Sequence, residues 1–176
     1  EPKIALLMCS AIISDTLIFR SPTCTEMDRE AGKALAEIAG INIKEHAHEM
    51  FFAGSNISEK TAKELFTGDF KRFSIGDTTF GIGQVSCMDG EELDQVKKKV
   101  MTYMKEQYKS LGVNMLYFML TDIIKPGTEL LCVGDGAMEL VERAFGVQGS
   151  DDVVYLPGVV SRKKQVVPEI MMEITQ

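Results

Sequence analysis

Phe70-Lys71-Arg72-Phe73-Ser74-Ile75-Gly76-Asp77-Thr78-Thr79-Phe80-Gly81-Ile82-Gly83-Gln84-Val85-Ser86-Cys87 is the stretch whose reading decides the fold. On both sides of Gly76-Asp77 the residues alternate, and β-branched and aromatic types are frequent, as in half-buried strands. Glycine and aspartate suit the tight reversal between them. The pattern therefore predicts two strands, Phe70–Ile75 and Thr78–Cys87, joined by a turn.

Downstream the period changes. Over residues 89–111, Leu93, Val96, Val100, Tyr103, Met104 and Tyr108 recur at helical spacing and predict a long amphipathic helix. Residues 113–121 predict a buried strand, Pro126-Gly127 a turn, 130–133 a strand, 137–145 a helix and 153–156 a short strand. Residues 165–174 read as a last strand, with Pro168 placing it at an edge. Strands and helices interleave, so the fold class expected for residues 57–176 is α/β, a mixed β-sheet flanked by helices.

Upstream the pattern is helical. Ser58 is expected to cap a short helix through Leu65, and Gly54-Ser55-Asn56 has the small, polar character of a hinge. Thr25 reads as the N-cap of a helix to about residue 39, with Glu26 and Asp28 in its first turn and Gly40 as its stop. Asn42 starts the next helix, to about residue 52. Residues 3–14 (KIALLMCSAIIS) are apolar on every side, so a helix there needs neighbours all round and implies that some are missing. The opening Glu1-Pro2, without methionine, is likewise expected of a fragment.

The 176 residues suffice for one ordinary domain, or a small domain with an extension. With 45% hydrophobic and 26% charged residues the composition is globular. A net charge of −7 argues against a nucleic-acid partner, which would need a basic stripe. The apolar run 4–19 is shorter than the roughly 20 residues of a membrane span and carries Asp15. It also lacks a basic leader and a cleavage site. No membrane association is expected, and the location expected is cytoplasmic. Cys9, Cys24, Cys87 and Cys132 fit no zinc spacing, and buried reduced thiols are expected.

Few residues could carry chemistry. Ser161-Arg162-Lys163-Lys164-Gln165 places three cations in a row after an apolar approach, and arginine beside lysine is suited to phosphate oxygens. By residue type alone a solvated charge cluster is the commoner meaning. Lys71 and Arg72 form a second basic pair on opposite faces of a strand, so only one can face a given cleft. Asp15 ends the apolar helix, where a carboxylate needs a partner or a cation, or serves as a cap. His46 and His48 lie at i and i+2, the wrong spacing for a helical metal pair, and are expected at the surface. Gly134-Asp135-Gly136 lacks the rest of a phosphate-loop pattern and reads as a turn. The eleven methionines read as core filler.

Together these pieces are more specific. Ser10-Ala11-Ile12-Ile13-Ser14-Asp15-Thr16, Phe19-Arg20-Ser21-Pro22-Thr23-Cys24-Thr25, Leu35-Ala36-Glu37-Ile38-Ala39-Gly40 and Gly158-Val159-Val160-Ser161-Arg162-Lys163-Lys164-Gln165-Val166-Val167-Pro168 closely resemble the family II, manganese-dependent inorganic pyrophosphatases of the DHH phosphoesterase superfamily. The resemblance implies that residues 1–53 are the helical remnant of a DHH domain, 54–57 a hinge, and 58–176 a DHHA2 domain that closes over the substrate. It implies that Asp15 is a metal ligand and that Lys71, Arg162 and Lys163 bind the phosphates of pyrophosphate. The cofactor implied is Mn²⁺, with Co²⁺ or Mg²⁺ as alternatives, and the partners implied are the missing amino-terminal DHH domain and a second copy joined through that domain. The family's His-x-Asp-x-Asp and Asp-His-His motifs do not occur here. The isolated chain is therefore expected to be inactive and to bind manganese weakly. The alternatives are another DHH-superfamily phosphodiesterase or exopolyphosphatase, or a non-catalytic anion-binding or assembly domain.

Overall fold

The structure is a computed structural model that describes residues 1–54, 57, 59–87 and 90–176. The chain divides into two compact units, Glu1–Asn56 and Ile57–Gln176. Of the hinge expected at 54–56, Ser55 and Asn56 lie outside the described residues, as does Ser58.

The first unit is helical: α1 (Pro2–Asp15), α2 (Glu26–Ala39) and α3 (Ile43–Gly54). Thr25 caps α2 as expected, in a reciprocal box with Asp28, and Gly40 ends it in the left-handed conformation that glycine adopts freely. The Asn42 side chain accepts from the amides of Lys44 and Glu45 and so opens α3. The apolar α1 buries one stripe, Ala5, Cys9 and Ile13, against Ala36 and Ala47, while Ile4, Leu7 and Met8 are 53%, 67% and 53% exposed.

The second unit is built on a sheet. After α4 (Ala62–Gly68) come β1 (Phe70–Ile75) and β2 (Thr78–Cys87), with the boundaries that the alternation predicts. Then follow α5 (Gly90–Gln107), a 3-10 turn at Tyr108–Leu111, β3 (Met115–Asp122), β4 (Gly127–Val133), α6 (Ala137–Phe145) and β5 (Val153–Pro157). Among the described residues these strands form one sheet in the order β1-β2-β3-β4-β5. Only β2 and β3 pair in parallel, with α5 crossing between them; the other pairs are antiparallel. The mixed sheet flanked by helices is thus the architecture expected.

β3 is buried on both faces and sorts its side chains by alternation. Met115, Tyr117 and Met119 join Phe80, Ile82, Leu130 and Cys132 under α6 and the last helix. Leu116, Phe118 and Leu120 join Leu93, Val96, Val100 and Met104 under α4 and α5. On this second face Phe66 meets Phe70, Tyr103 and Phe118 at centroid distances of 4.9, 5.4 and 5.9 Å. Gly81 and Gly83 make room for those rings. A Cβ at Gly83 would stand 2.4 Å from the Phe118 ring, and one at Gly81 2.4 Å from the Phe70 ring.

Three expectations are corrected. Residues 165–174 are not a strand: Arg162–Val166 forms a π-helical turn that runs into α7 (Val167–Ile174). Val166, Val167 and Ile170 bury on one helical side, and Pro168 sits in the first turn, where its missing N–H costs nothing. The helix expected to begin at Ser58 begins at Ala62, because Thr61 and Glu64 form its capping box. The long helix stops at Gln107 and tightens into the 3-10 turn, ended by left-handed Gly112; its expected first residue, Asp89, lies outside the described residues.

Candidate functional site

Alternation along β1 separates its two cations. Phe73 packs beneath α6 and α7, so Lys71, two residues earlier, projects to that same face. Arg72 faces the other way, and its guanidinium donates to the Leu111 carbonyl at the end of the 3-10 turn. Lys71 is exposed and has no ion pair or side-chain hydrogen bond among the described residues. Of the pair, Arg72 is a tether and Lys71 remains available.

The π turn begins on the same face. Its wide i→i+5 geometry is rare and concentrates at functional positions. Ser161 caps it: its side chain accepts from the Lys164 amide at 3.3 Å, and its carbonyl from the Gln165 amide at 2.9 Å. Lys163 and Lys164 are exposed. Arg162 is buried, with 8% of its side chain accessible. Its Nη1 donates to the carbonyls of Asp69 (2.6 Å) and Ile82 (3.2 Å), and its Nη2 donates to Asp69 Oδ1 (2.7 Å). A guanidinium has five N–H donors. The ones left over are Nε–H and the second hydrogen on Nη2. Ile82 is also the cross-strand partner of Lys71. Arg162 and Lys71 thus border the same stretch of β2, although 91 positions separate them in sequence.

Asp69 was not legible as part of this site. It is the C-cap of α4, where the helix dipole does not favour a carboxylate, and its bond to Arg162 spans 93 residues. No local pattern signals such a contact. What the arrangement can do chemically is hold a compact anion: a fixed, mostly buried guanidinium beside two exposed lysines, Lys71 and Lys163.

Asp15 belongs to the other unit. It is exposed at the end of α1, so its charge is hydrated rather than stranded. The backbone just after it is unusual. Leu17, Ile18 and Phe19 all have positive φ, 48°, 56° and 62°. Left-handed geometry costs a non-glycine residue about 1–2 kcal/mol each, and a β-branched isoleucine is a rare occupant. Thr16 holds the turn: its hydroxyl donates to the Ile12 carbonyl at 2.6 Å and accepts from the Phe19 amide at 3.1 Å, while its carbonyl accepts from Arg20 and Ser21. The Phe19 ring lies over Gly32, where a Cβ would stand 2.7 Å from it, and Arg29 sits 5.9 Å from the ring centroid. Strain over-determined in this way clusters at functional segments.

Among the described residues no group of three His, Cys, Asp or Glu converges to hold a metal ion. A lone carboxylate such as Asp15 does not by itself make a manganese site. His46, expected at the surface, is half-buried, and its Nε2 lies 2.7 Å from Ser10 Oγ. That hydroxyl donates to the Leu6 carbonyl, so the imidazole N–H is the donor to it. Cys9, Cys87 and Cys132 are buried free thiols as expected, and Cys24 is half-exposed. No described helix is long and apolar enough to cross a membrane.

The family model of the DHHA2 domain matches residues 48–172. The chain is 46% identical over 172 residues, 98% of its length, to a protein of Clostridium acetobutylicum named a probable manganese-dependent inorganic pyrophosphatase, of which it covers 55%. It is 46% identical over 169 residues, 96% of its length, to a cobalt-dependent inorganic pyrophosphatase of Clostridium perfringens, covering 31% of that protein. It is 43% identical over 171 residues, 97% of its length, to a manganese-dependent inorganic pyrophosphatase of Methanocaldococcus jannaschii, covering 55% of it. A crystal structure from Methanococcus jannaschii assigned to the family II inorganic pyrophosphatases superposes with a TM-score of 0.86 at 42% identity, over 100% of this chain and 57% of that one. The chain therefore spans about half the length of most of these relatives, and it belongs to the DHHA2 domain family.

Proposed function

We propose that this chain is the carboxyl-terminal part of a manganese-dependent inorganic pyrophosphatase, and that its second unit grips the substrate while water cleaves diphosphate to two phosphates. The observation that carries the reading is the fixed, buried guanidinium of Arg162 at Ile82, the cross-strand partner of exposed Lys71, with Lys163 exposed next to it in the chain. Pyrophosphate is small and densely charged. Cations aimed at one phosphoryl group neutralise the charge that develops on it as the bridging bond breaks. Lys71 and Lys163 supply mobile point charges. Arg162 supplies a directed Nε–H and Nη2–H in a geometry set by Asp69.

On this reading residues 1–53 end a DHH domain, 54–57 form the hinge and 58–176 form the closing DHHA2 domain; the division at Asn56/Ile57 supports it. Asp15 is the one metal ligand this chain contributes, and the strained turn that follows it favours a functional position. The remaining ligands lie on the amino-terminal DHH domain, through which two copies associate in the cytoplasm. The same reading has the lid close to exclude water and open to release phosphate.

The test is steady-state hydrolysis by the full-length protein carrying this chain, with Mn²⁺ present. Pyrophosphate should be turned over in preference to nucleotides and longer polyphosphates. Lys163→Ala and Lys71→Ala should each raise KM about tenfold, the scale of one lost charge-assisted hydrogen bond. A preference for nucleotides or polyphosphate would favour another superfamily phosphoesterase, and no turnover of any of them would favour a non-catalytic binding domain.

A further inference from the structure

Three polar side chains interrupt the apolar face of the sheet beneath the π turn. Gln84 follows Phe80 and Ile82 on β2, Thr121 follows Met119 on β3, and Thr128 precedes Leu130 on β4, so alternation puts all three on the face that carries Lys71. Thr121 and Thr128 are fully buried and pair with each other across β3 and β4. Two valines would fill that space without the desolvation of two hydroxyls.

The hydrogen bonds run in one direction. Thr128 Oγ1 donates to the Val159 carbonyl at 2.6 Å. A hydroxyl has one proton, so across the 3.0 Å contact Thr121 must be the donor to Thr128. Thr121 in turn accepts from Gln84 Nε2 at 3.2 Å, and Gln84 Nε2 also donates to the Val160 carbonyl at 3.2 Å. Every donor of the chain thus ends on the two carbonyls that precede Ser161-Arg162. From the other side, Gln165 Oε1 accepts from the amides of Val160 and Ser161, both at 3.0 Å, and its Nε2 donates to the Gly158 carbonyl at 3.1 Å. The peptide units at 159–161 are gripped from both sides, immediately before the two residues proposed to meet phosphate.

The geometry points to Gln84, Thr121 and Thr128 as positioning residues: a directed hydrogen-bond chain within the sheet that sets the height and orientation of the Arg162-Lys163 turn and thereby its affinity for the pyrophosphate anion. This rests on the function proposed above for Arg162 and Lys163. The role differs from sealing the core, which valine would do as well. It predicts an effect on substrate binding without contact to substrate.

The experiment uses Thr128→Val and Thr128→Ser in the full-length protein, with two readouts. In hydrogen exchange, the amides of residues 158–165 should exchange about tenfold faster in the valine variant, as expected when about 1.4 kcal/mol of local stability is lost. In steady-state hydrolysis, KM for pyrophosphate should rise about tenfold with kcat little changed, and serine, which restores the hydroxyl, should recover both readouts. Unchanged exchange in the valine variant overturns the proposal. Faster exchange with an unchanged KM in an active enzyme also overturns it, because the chain would then only seal the core. If the unaltered protein does not hydrolyse pyrophosphate, the function proposed above fails, and the exchange measurement with its serine rescue alone decides whether the chain positions the turn.

Discussion

Replacing Asp69 by alanine removes one carboxylate and leaves a guanidinium in place that water can hardly reach. Arg162 exposes 8% of its side chain, while Asp69 is 52% exposed. The lost bond, Nη2 to Oδ1 at 2.7 Å, is charge-assisted, and such bonds are worth about 1.5–3 kcal/mol. Two features set the place in that range. The half-exposed carboxylate is partly screened, which lowers its contribution. The buried guanidinium keeps its two carbonyl partners but gains no replacement for the third, which raises the cost. The expected destabilisation is about 2 kcal/mol. With a urea slope of about 2 kcal/mol/M, the unfolding midpoint of the Ile57–Gln176 unit should fall by about 1 M. Urea titration followed by circular dichroism reads this directly. Asp69→Asn retains an oxygen acceptor and loses only the charge, so its midpoint should lie between the two. An alanine variant within 0.2 M of the unaltered chain would refute the reasoning, since it would mean that the clamp holds nothing.

Gly83→Ala places a methyl group 2.4 Å from the Phe118 ring and should destabilise the second unit by about 1–3 kcal/mol, read as a lower thermal midpoint. The Asp28 carboxyl is held below its ordinary pKa by the backbone and then the side-chain hydrogen bonds of Thr25, and Glu64 by the side-chain and then the backbone bonds of Thr61. A depressed folded-state pKa stabilises above the unfolded value, about 4, and that stability is lost as pH falls through the folded pKa. Asp28→Asn should therefore flatten the acid limb of a stability–pH curve. Burial pushes the Cys132 thiol well above the usual cysteine range and raises that of Cys9 too. With Ellman's reagent at neutral pH, Cys24 should react first and the buried thiols only as the chain unfolds; rapid labelling of Cys132 would contradict its burial.

Much of the fold was legible because local rules and tertiary structure agreed. Alternation gave β1 and β2 their ends, and the helix expected over 137–145 is α6. The miss at 165–174 has a simple physical origin. Val166, Val167 and the isoleucines favour strands by type, and Pro168 is tolerated in a strand only at an edge, but proline is at home in a first helical turn, and Val166, Val167 and Ile170 bury only on a helix. The left-handed turn at Leu17-Ile18-Phe19 was invisible for the opposite reason: none of those residue types signals positive φ, and the turn exists because Thr16 and the Gly32 notch hold it. For the candidate site, the charges Lys71, Arg162 and Lys163 could be named from the sequence. Asp69, Gln84, Thr121 and Thr128 could not, since each looks ordinary among its neighbours and acquires meaning only from partners distant in the chain.

The strand order of the sheet is also the order in which a ribosome delivers it. Each strand from β1 to β5 can dock on the edge left by the one before, without threading past anything already formed. Arg162 then follows Asp69 by 93 residues, roughly 5–20 s of synthesis at about 5–20 residues per second. During that interval the sheet can assemble while the carbonyls of Asp69 and Ile82 still lack the guanidinium. Arg162 is thus the stitch that fastens the late-made turn before α7 to the first-made strands.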